Sequence, residues 1–143
     1  MTSRRGARRT AIDILYQADV TTEDPRAVLQ AWTDAGRAVG SFTEELVAGV
    51  REHRPELDDL LDRHSEGWSI ERMAALDRTI LRVALFELLH RSDVPPSAAI
   101  SEAVEAASEL SAEASSRFVN GILGRIAAEL PAPASDPDAP TPG

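Results

Sequence analysis

The stretch Leu76–His90, LDRTILRVALFELLH, decides the fold. On a helical projection Leu76, Ile80, Val83, Ala84 and Leu88 lie on one side and Leu81, Leu85 and Leu89 on another, so apolar side chains occupy most of the circumference. A helix of that kind belongs inside a bundle. At about 1.5 Å per residue it spans roughly 22 Å, enough to cross a small domain and well short of a membrane. Four charged residues interrupt it. Arg82 and Glu87 are expected on an exposed sliver, with Glu87 one turn from Arg91 and able to pair with it. Asp77 and Arg78 lie in the first turns, where an acid suits the helix dipole, and their clustering makes them candidates for an interface.

The neighbouring segments carry their own start and stop signals. Thr2 or Ser3 caps a first helix running to about Asp19, whose core face passes through Ala7, Ala11, Ile14, Leu15 and Ala18. Arg5, Arg9 and Tyr16 share another stripe of that helix. Asp24-Pro25 opens a second helix with Val28, Leu29 and Trp32 at apolar positions, ended by Gly36 and Gly40. Ser41-Phe42-Thr43-Glu44 has the form of a capping box and starts a third helix; around Pro55 the chain is expected to restart as a fourth. Asp58, Asp59 and Asp62, beside that helix's leucines, read as a solvated face. Ser92-Asp93-Val94-Pro95-Pro96 stops the central helix, and Ser97 is expected to cap the next, which bears Ile100, Ala103, Val104, Ala107 and Leu110, with Glu102, Glu105 and Glu109 opposite. The last helix carries Phe118, Val119, Ile122, Leu123 and Ile126. Its Gly121 and Gly124 are expected to admit the close approach of another backbone. No period-two alternation occurs, so the fold class is all-α, about seven helices with short, mainly antiparallel connections. Residues 131–143, PAPASDPDAPTPG, combine five prolines with no hydrophobe larger than alanine and are expected to be a disordered tail on a single domain of residues 1–130.

Composition excludes several functions. With 143 residues and 43% hydrophobic content the chain can bury a core of its own. It has no cysteine, which removes disulfides, thiolate catalysis and cysteine zinc sites. His53, His64 and His90 fall on different segments without ligand-like carboxylate spacing, so neither a metal site nor a cofactor is expected. There is no Gly-rich phosphate loop, dinucleotide fingerprint or nucleophile elbow, and an enzyme is not expected. The amino terminus has arginines without the apolar stretch of a signal peptide, which points to the cytoplasm. The net charge of −9 conceals an uneven distribution. Arg4, Arg5, Arg8 and Arg9 stand in a first dozen residues that contain no acid, so the rest of the chain is strongly acidic. A concentrated basic end on an acidic body suits a local phosphate site better than general coating of nucleic acid.

Three stretches together resemble the NusB family of bacterial transcription antitermination factors: RRGARRTAIDILYQADV at 4–20, LDRTILRVALFELLHRSDVP at 76–95 with AISEAVEAA at 99–107, and RFVNGILGR at 117–125. The likeness covers nearly all of the chain before the tail. It implies two small helical bundles packed on each other, and a protein that binds the boxA element of ribosomal RNA leader transcripts jointly with the small-subunit ribosomal protein NusE. Such proteins work with the RNA polymerase elongation complex and other Nus factors. The family's amino-terminal arginines match Arg4, Arg5 and Arg8, with Arg9 beside them, and its following tyrosine matches Tyr16. The basic-aromatic pair that opens its last helix matches Arg117 and Phe118, followed by Asn120 and Gly121. These residues are implied to form the RNA surface, and Glu71, Asp77 and Phe86 to face the ribosomal protein. Ala114 departs from a frequent aspartate, and Gly124-Arg125 from an acid–lysine pair. An acidic helical adaptor without RNA binding is the alternative. The sequence leaves open whether the free chain is a monomer or a homodimer.

Overall fold

The computed structural model describes residues 3–67 and 69–130; Trp68 and the proline-rich tail lie outside the described residues. Six α-helices and one 3-10 turn follow in order: α1 (Arg4–Thr21), α2 (Pro25–Asp34), α3 (Ser41–His64), the turn Ile70–Arg72, α4 (Ala75–His90), α5 (Pro96–Leu110) and α6 (Glu113–Glu129). No strand occurs among the described residues. The all-helical reading stands, with one helix fewer than expected.

The difference lies at Pro55, which sits inside a continuous α3 instead of starting a new helix. Proline removes one backbone bond and crowds the preceding turn, at about 3 kcal/mol or more in a helix interior. Beyond it Leu57 and Leu61 are both fully buried. Burying a leucine contributes roughly 1.5–3 kcal/mol, so the two together outweigh the proline's cost and hold the second half of α3 in line. Two caps also differ from expectation. α3 begins at Ser41 with Gly40 as its cap and no side-chain cap bond, while Thr43 Oγ1 donates to the Ala7 carbonyl at 2.9 Å, tying α3 to α1. α5 begins at Pro96, whose missing N–H suits a first helical position, and Ser97 makes no cap bond. Ser3 and Asp24 do cap, accepting from Gly6 N at 3.1 Å and Arg26 N at 2.9 Å.

α4 is the axis, in contact with α1, α3, α5 and α6. Every residue from Thr79 to Glu87 is buried, Arg82 and Glu87 included. The exposed sliver expected for those two does not exist. Arg82 donates through Nε and Nη2 to the two Asp58 oxygens at 2.7 and 3.1 Å, and Arg78 Nε donates to Asp19 Oδ2 at 2.6 Å. Asp58 therefore belongs to an internal ion-pair network, not to a solvated face. Asp62 Oδ1 accepts from Ile70 N at 2.6 Å and anchors the 3-10 turn. Glu87 turns away from Arg91 and takes Arg8 instead, at 2.8 Å to each of its oxygens.

The helix glycines also exchange roles. A Cβ at Gly124 would meet nothing, and one at Gly121 would meet only Arg125 Nη1 at 3.5 Å, so neither admits a close neighbour. Gly49 of α3 does: the Phe86 ring of α4 occupies the space where its Cβ would stand. Gly49→Ala should therefore destabilise the protein by up to about 2 kcal/mol, overpacking of roughly 1–3 kcal/mol exceeding the helix-propensity gain of about 1 kcal/mol. Gly124→Ala, with the same propensity gain and open space, should stabilise it by up to about 1 kcal/mol. Urea midpoints of the two variants against the parent check the pair.

Candidate RNA interface

The first helix is held in a fixed rotation by two polar anchors. Near its start, the Arg8 guanidinium grips Glu87 with two parallel hydrogen bonds, the Arg8 side chain 12% exposed and the Glu87 side chain 1%. Near its end, Asp19 accepts from Arg78 and lies 3.7 Å from Arg82. Eleven residues separate the anchors along α1, and they engage opposite ends of α4, so the two helices run antiparallel. With the Arg8 and Asp19 faces turned inward, Arg5 and Tyr16 face outward and Arg9 lies at the edge of the core, its side chain 21% exposed; Tyr16 is 40% exposed and Val20, one turn on, is exposed too.

The amino-terminal arginines are thus not equivalent. Arg8 is a structural cation, its proton held more firmly than usual by the Glu87 hydrogen bonds. Arg4 donates to Asp93 at 2.7 Å and lies over the Phe42 ring at 4.7 Å, with Arg8 and Arg91 also placed over that ring at 5.5 and 5.2 Å. Arg5 pairs with Glu105 and, at 3.0 Å, with Glu109. Arg9 Nη2 stands 3.0 Å from Glu109 Oε2 without hydrogen-bond alignment. The acids of α5, which in sequence form only an acidic face, are the counterions of the basic stripe. This pairing was hidden in the sequence because about one hundred residues separate the partners.

The second group of residues opens α6. Arg117 and Asn120 are exposed and make no side-chain hydrogen bond or ion pair among the described residues. Phe118 is half-buried, packed on the core, and lines a cleft of about 190 Å³ with Arg72, Met73, Ala74 and Asp77. α6 packs on α3, α4 and α5, and α3 and α4 pack on α1 as well; α5 reaches α1 through the Arg5 and Arg9 ion pairs. Of the residues expected at a partner surface, Glu71 is exposed on the 3-10 turn. Asp77 is half-buried, accepts from Ser115 Oγ at 3.0 Å and keeps Oδ1 unpaired. Phe86 is 7% exposed and stacks on His53 and His90, which makes it a core residue and no contact surface. No helix among the described residues is long and apolar enough to cross a membrane.

Comparison with known proteins shows the family and the fold. The sequence profile of the NusB family matches residues 5–128. The chain belongs to the NusB family. The transcription antitermination protein NusB of Saccharopolyspora erythraea is 48% identical over 130 residues, covering 89% of this chain and 88% of that protein. The Rubrobacter xylanophilus NusB is 47% identical over 121 residues, 85% of this chain and 87% of the relative. Among solved structures, T. maritima NusB superposes with a TM-score of 0.80 at 36% identity, covering 90% of this chain and 92% of that one. A structure of the antitermination factors NusB and NusE in complex with dsRNA gives a TM-score of 0.78 at 26% identity, covering 87% and 96%.

Two outcomes follow from the anchoring of this NusB chain. Arg8→Gln strands a buried carboxylate and should cost about 3–5 kcal/mol of stability, whereas Arg4→Gln, which breaks an exposed pair, should cost less than about 1 kcal/mol; denaturant unfolding separates them. Hydrogen bonds from Arg91 and then Arg4 lower the Asp93 carboxyl to about 2. Its folded pKa lies below its unfolded value, so the stabilisation is present above about pH 4 and fades as pH falls toward 2. Carboxyl NMR should place the Asp93 titration near 2 and move it upward in Arg4→Gln.

Proposed function

We propose that this chain is a transcription antitermination factor that holds single-stranded boxA-type RNA of ribosomal leader transcripts on the outward stripe of α1 and the opening of α6, together with NusE. The observation that carries the reading is the row of Arg5, Arg9 and Tyr16 along one stripe of α1, with Arg5 and Tyr16 exposed and Arg9 partly buried at its edge, its rotation set by the buried anchors at Arg8 and Asp19. Guanidinium groups hold phosphates and stack on bases, and a half-exposed tyrosine offers a platform for an unpaired base. Arg117 and Asn120 extend the surface with donors that no other group engages, and Arg4 joins once phosphate competes with Asp93. Arg8 supports the site from behind. Asp77, which lines the cleft that also contains Phe118, and Glu71, exposed on the 3-10 turn, form the side turned to NusE, and through it the RNA polymerase elongation complex and other Nus factors. The six helices are read as two antiparallel bundles, α1–α3 and α4–α6, packed on each other. The role is one of binding in the cytoplasm, not of catalysis.

Fluorescence anisotropy of boxA-type RNA against salt, with and without NusE, tests the reading. Each lost single-strand phosphate contact removes about 0.7 from the slope of log affinity against log salt, so Arg5→Gln with Arg9→Gln should remove roughly 1.4. Tyr16→Ala should cost about 1–3 kcal/mol of binding with the slope unchanged. Arg51→Gln and Arg63→Gln, on α3, should change little. Glu105→Gln with Glu109→Gln releases the arginines from their internal partners and should tighten RNA binding by about 3- to 10-fold, the equivalent of two exposed ion pairs. Equal slope losses from the α3 variants would move the site, and absence of RNA binding at low salt would leave the acidic adaptor.

A further inference from the structure

Away from the basic stripe, α3 and α4 bring together three side chains that the RNA surface does not use. His53 and Glu56 are three residues apart on α3 and leave it on one face. His90, the last residue of α4, meets them: its Nε2 lies 2.6 Å from Glu56 Oε1, and its ring stacks on His53 with centroids 3.9 Å apart and planes at 19°. Phe86 stacks against both rings at 5.9 and 5.6 Å and is itself wedged against Gly49. One donor atom from each of the three residues lies within 4.8 Å of the other two. The His53 ring nitrogens have no hydrogen-bond partner among the described residues.

We propose that His53, Glu56 and His90 form a binding site for a divalent transition-metal ion of the Zn²⁺, Co²⁺ or Ni²⁺ class, clamping α3 to α4. Two imidazole nitrogens and one carboxylate oxygen favour these ions over Mg²⁺ and Ca²⁺, which take oxygen ligands. Bonds of about 2.0–2.2 Å at tetrahedral angles put donor atoms roughly 3.3 Å apart. The Glu56–His90 contact must widen from 2.6 Å by about 0.7 Å, and His53, whose donor atom lies within 4.8 Å of the other two, must close in by up to about 1.5 Å. Rotation about χ2 of the histidines, a soft torsion, turns their parallel nitrogens toward one point without moving the backbone. The ion takes the place of the proton at His90 Nε2, the ring binding as the neutral imidazole with its N–H on Nδ1 and any second proton passing to solvent, and water completes the coordination. The site spans the turn of α3 in which Pro55 omits a backbone bond, so the ion ties down the weakest turn of that helix.

The test is calorimetric titration of the untagged, chelator-treated full chain with ZnCl₂ and CoCl₂, with MgCl₂ as comparison. One Zn²⁺ or Co²⁺ per chain, a Tm that climbs with metal concentration and no response to Mg²⁺ are expected. Glu56→Gln, an exposed change that should leave the metal-free Tm unaltered, and His53→Ala should each weaken binding more than about tenfold, since loss even of a supporting group around a metal costs 10- to 100-fold. His64→Gln, a change at the histidine paired with Glu129, should leave it intact. No Zn²⁺ binding up to millimolar concentration overturns the proposal, as does binding retained at full strength in both Glu56→Gln and His53→Ala.

Discussion

A buried carboxylate sets the geometry of this protein. Glu87 sits within the most enclosed stretch of α4, and leaving its charge unpaired there would cost several kcal/mol. Arg8 answers it with a fork of two hydrogen bonds, and in doing so fixes both the position and the rotation of α1. Apolar packing alone would hold the helix against the core but tolerate small rolls. Two charge-based anchors, at Arg8 and at Asp19, remove that freedom, and the outward direction of Arg5 and Tyr16 is their consequence.

On the proposed reading, the arginines of α1 that meet RNA already stand beside internal carboxylates before any ligand arrives. Arg5 and Arg9 rest against Glu105 and Glu109, and Arg4 against Asp93. The Arg4 and Arg5 pairs are exposed, so each is weak and easily exchanged, while Arg9 is partly buried. Phosphates therefore compete with weak internal partners for cations already held in place, and the ordering of long side chains is met partly in advance. The α5 carboxylates also discriminate, because a polyanion bound without good geometry must approach them.

Much of the architecture was legible in the sequence. The apolar circumference of residues 76–90 announced the axial helix, and Ser3 and Asp24-Pro25 marked helix starts where they occur. What misled were local rules overridden by distant partners. Pro55 carries a strong stop signal, but Leu57 and Leu61 beyond it are drawn into the core. Glu87 and Arg91 have a good pairing interval along a helix, yet burial selected Arg8, 79 residues away. Of the glycines that looked like contact points, Gly124 faces open space and Gly121 meets only the Arg125 side chain, while Gly49, unremarkable in sequence, accepts the Phe86 ring. The stripe of Arg5, Arg9 and Tyr16 could be read from helical periodicity, whereas its acidic counterpart needed the packing of α5. No ligand-like spacing was read around the histidines, because the approach of His90 to Glu56 and His53 is a matter of tertiary structure.

The long separation between Arg8 and Glu87 also has a meaning in time. A ribosome extends a chain at roughly 5–20 residues per second, so α1 is made about 4–16 s before the carboxylate that orients it, the two being 79 residues apart. Contacts this distant in sequence slow folding relative to bundles built from neighbouring helices. During that interval the most basic segment of an acidic protein is newly made and without its lasting partner. Completion of α4 is therefore the step in synthesis that turns a loose cationic helix into a fixed surface.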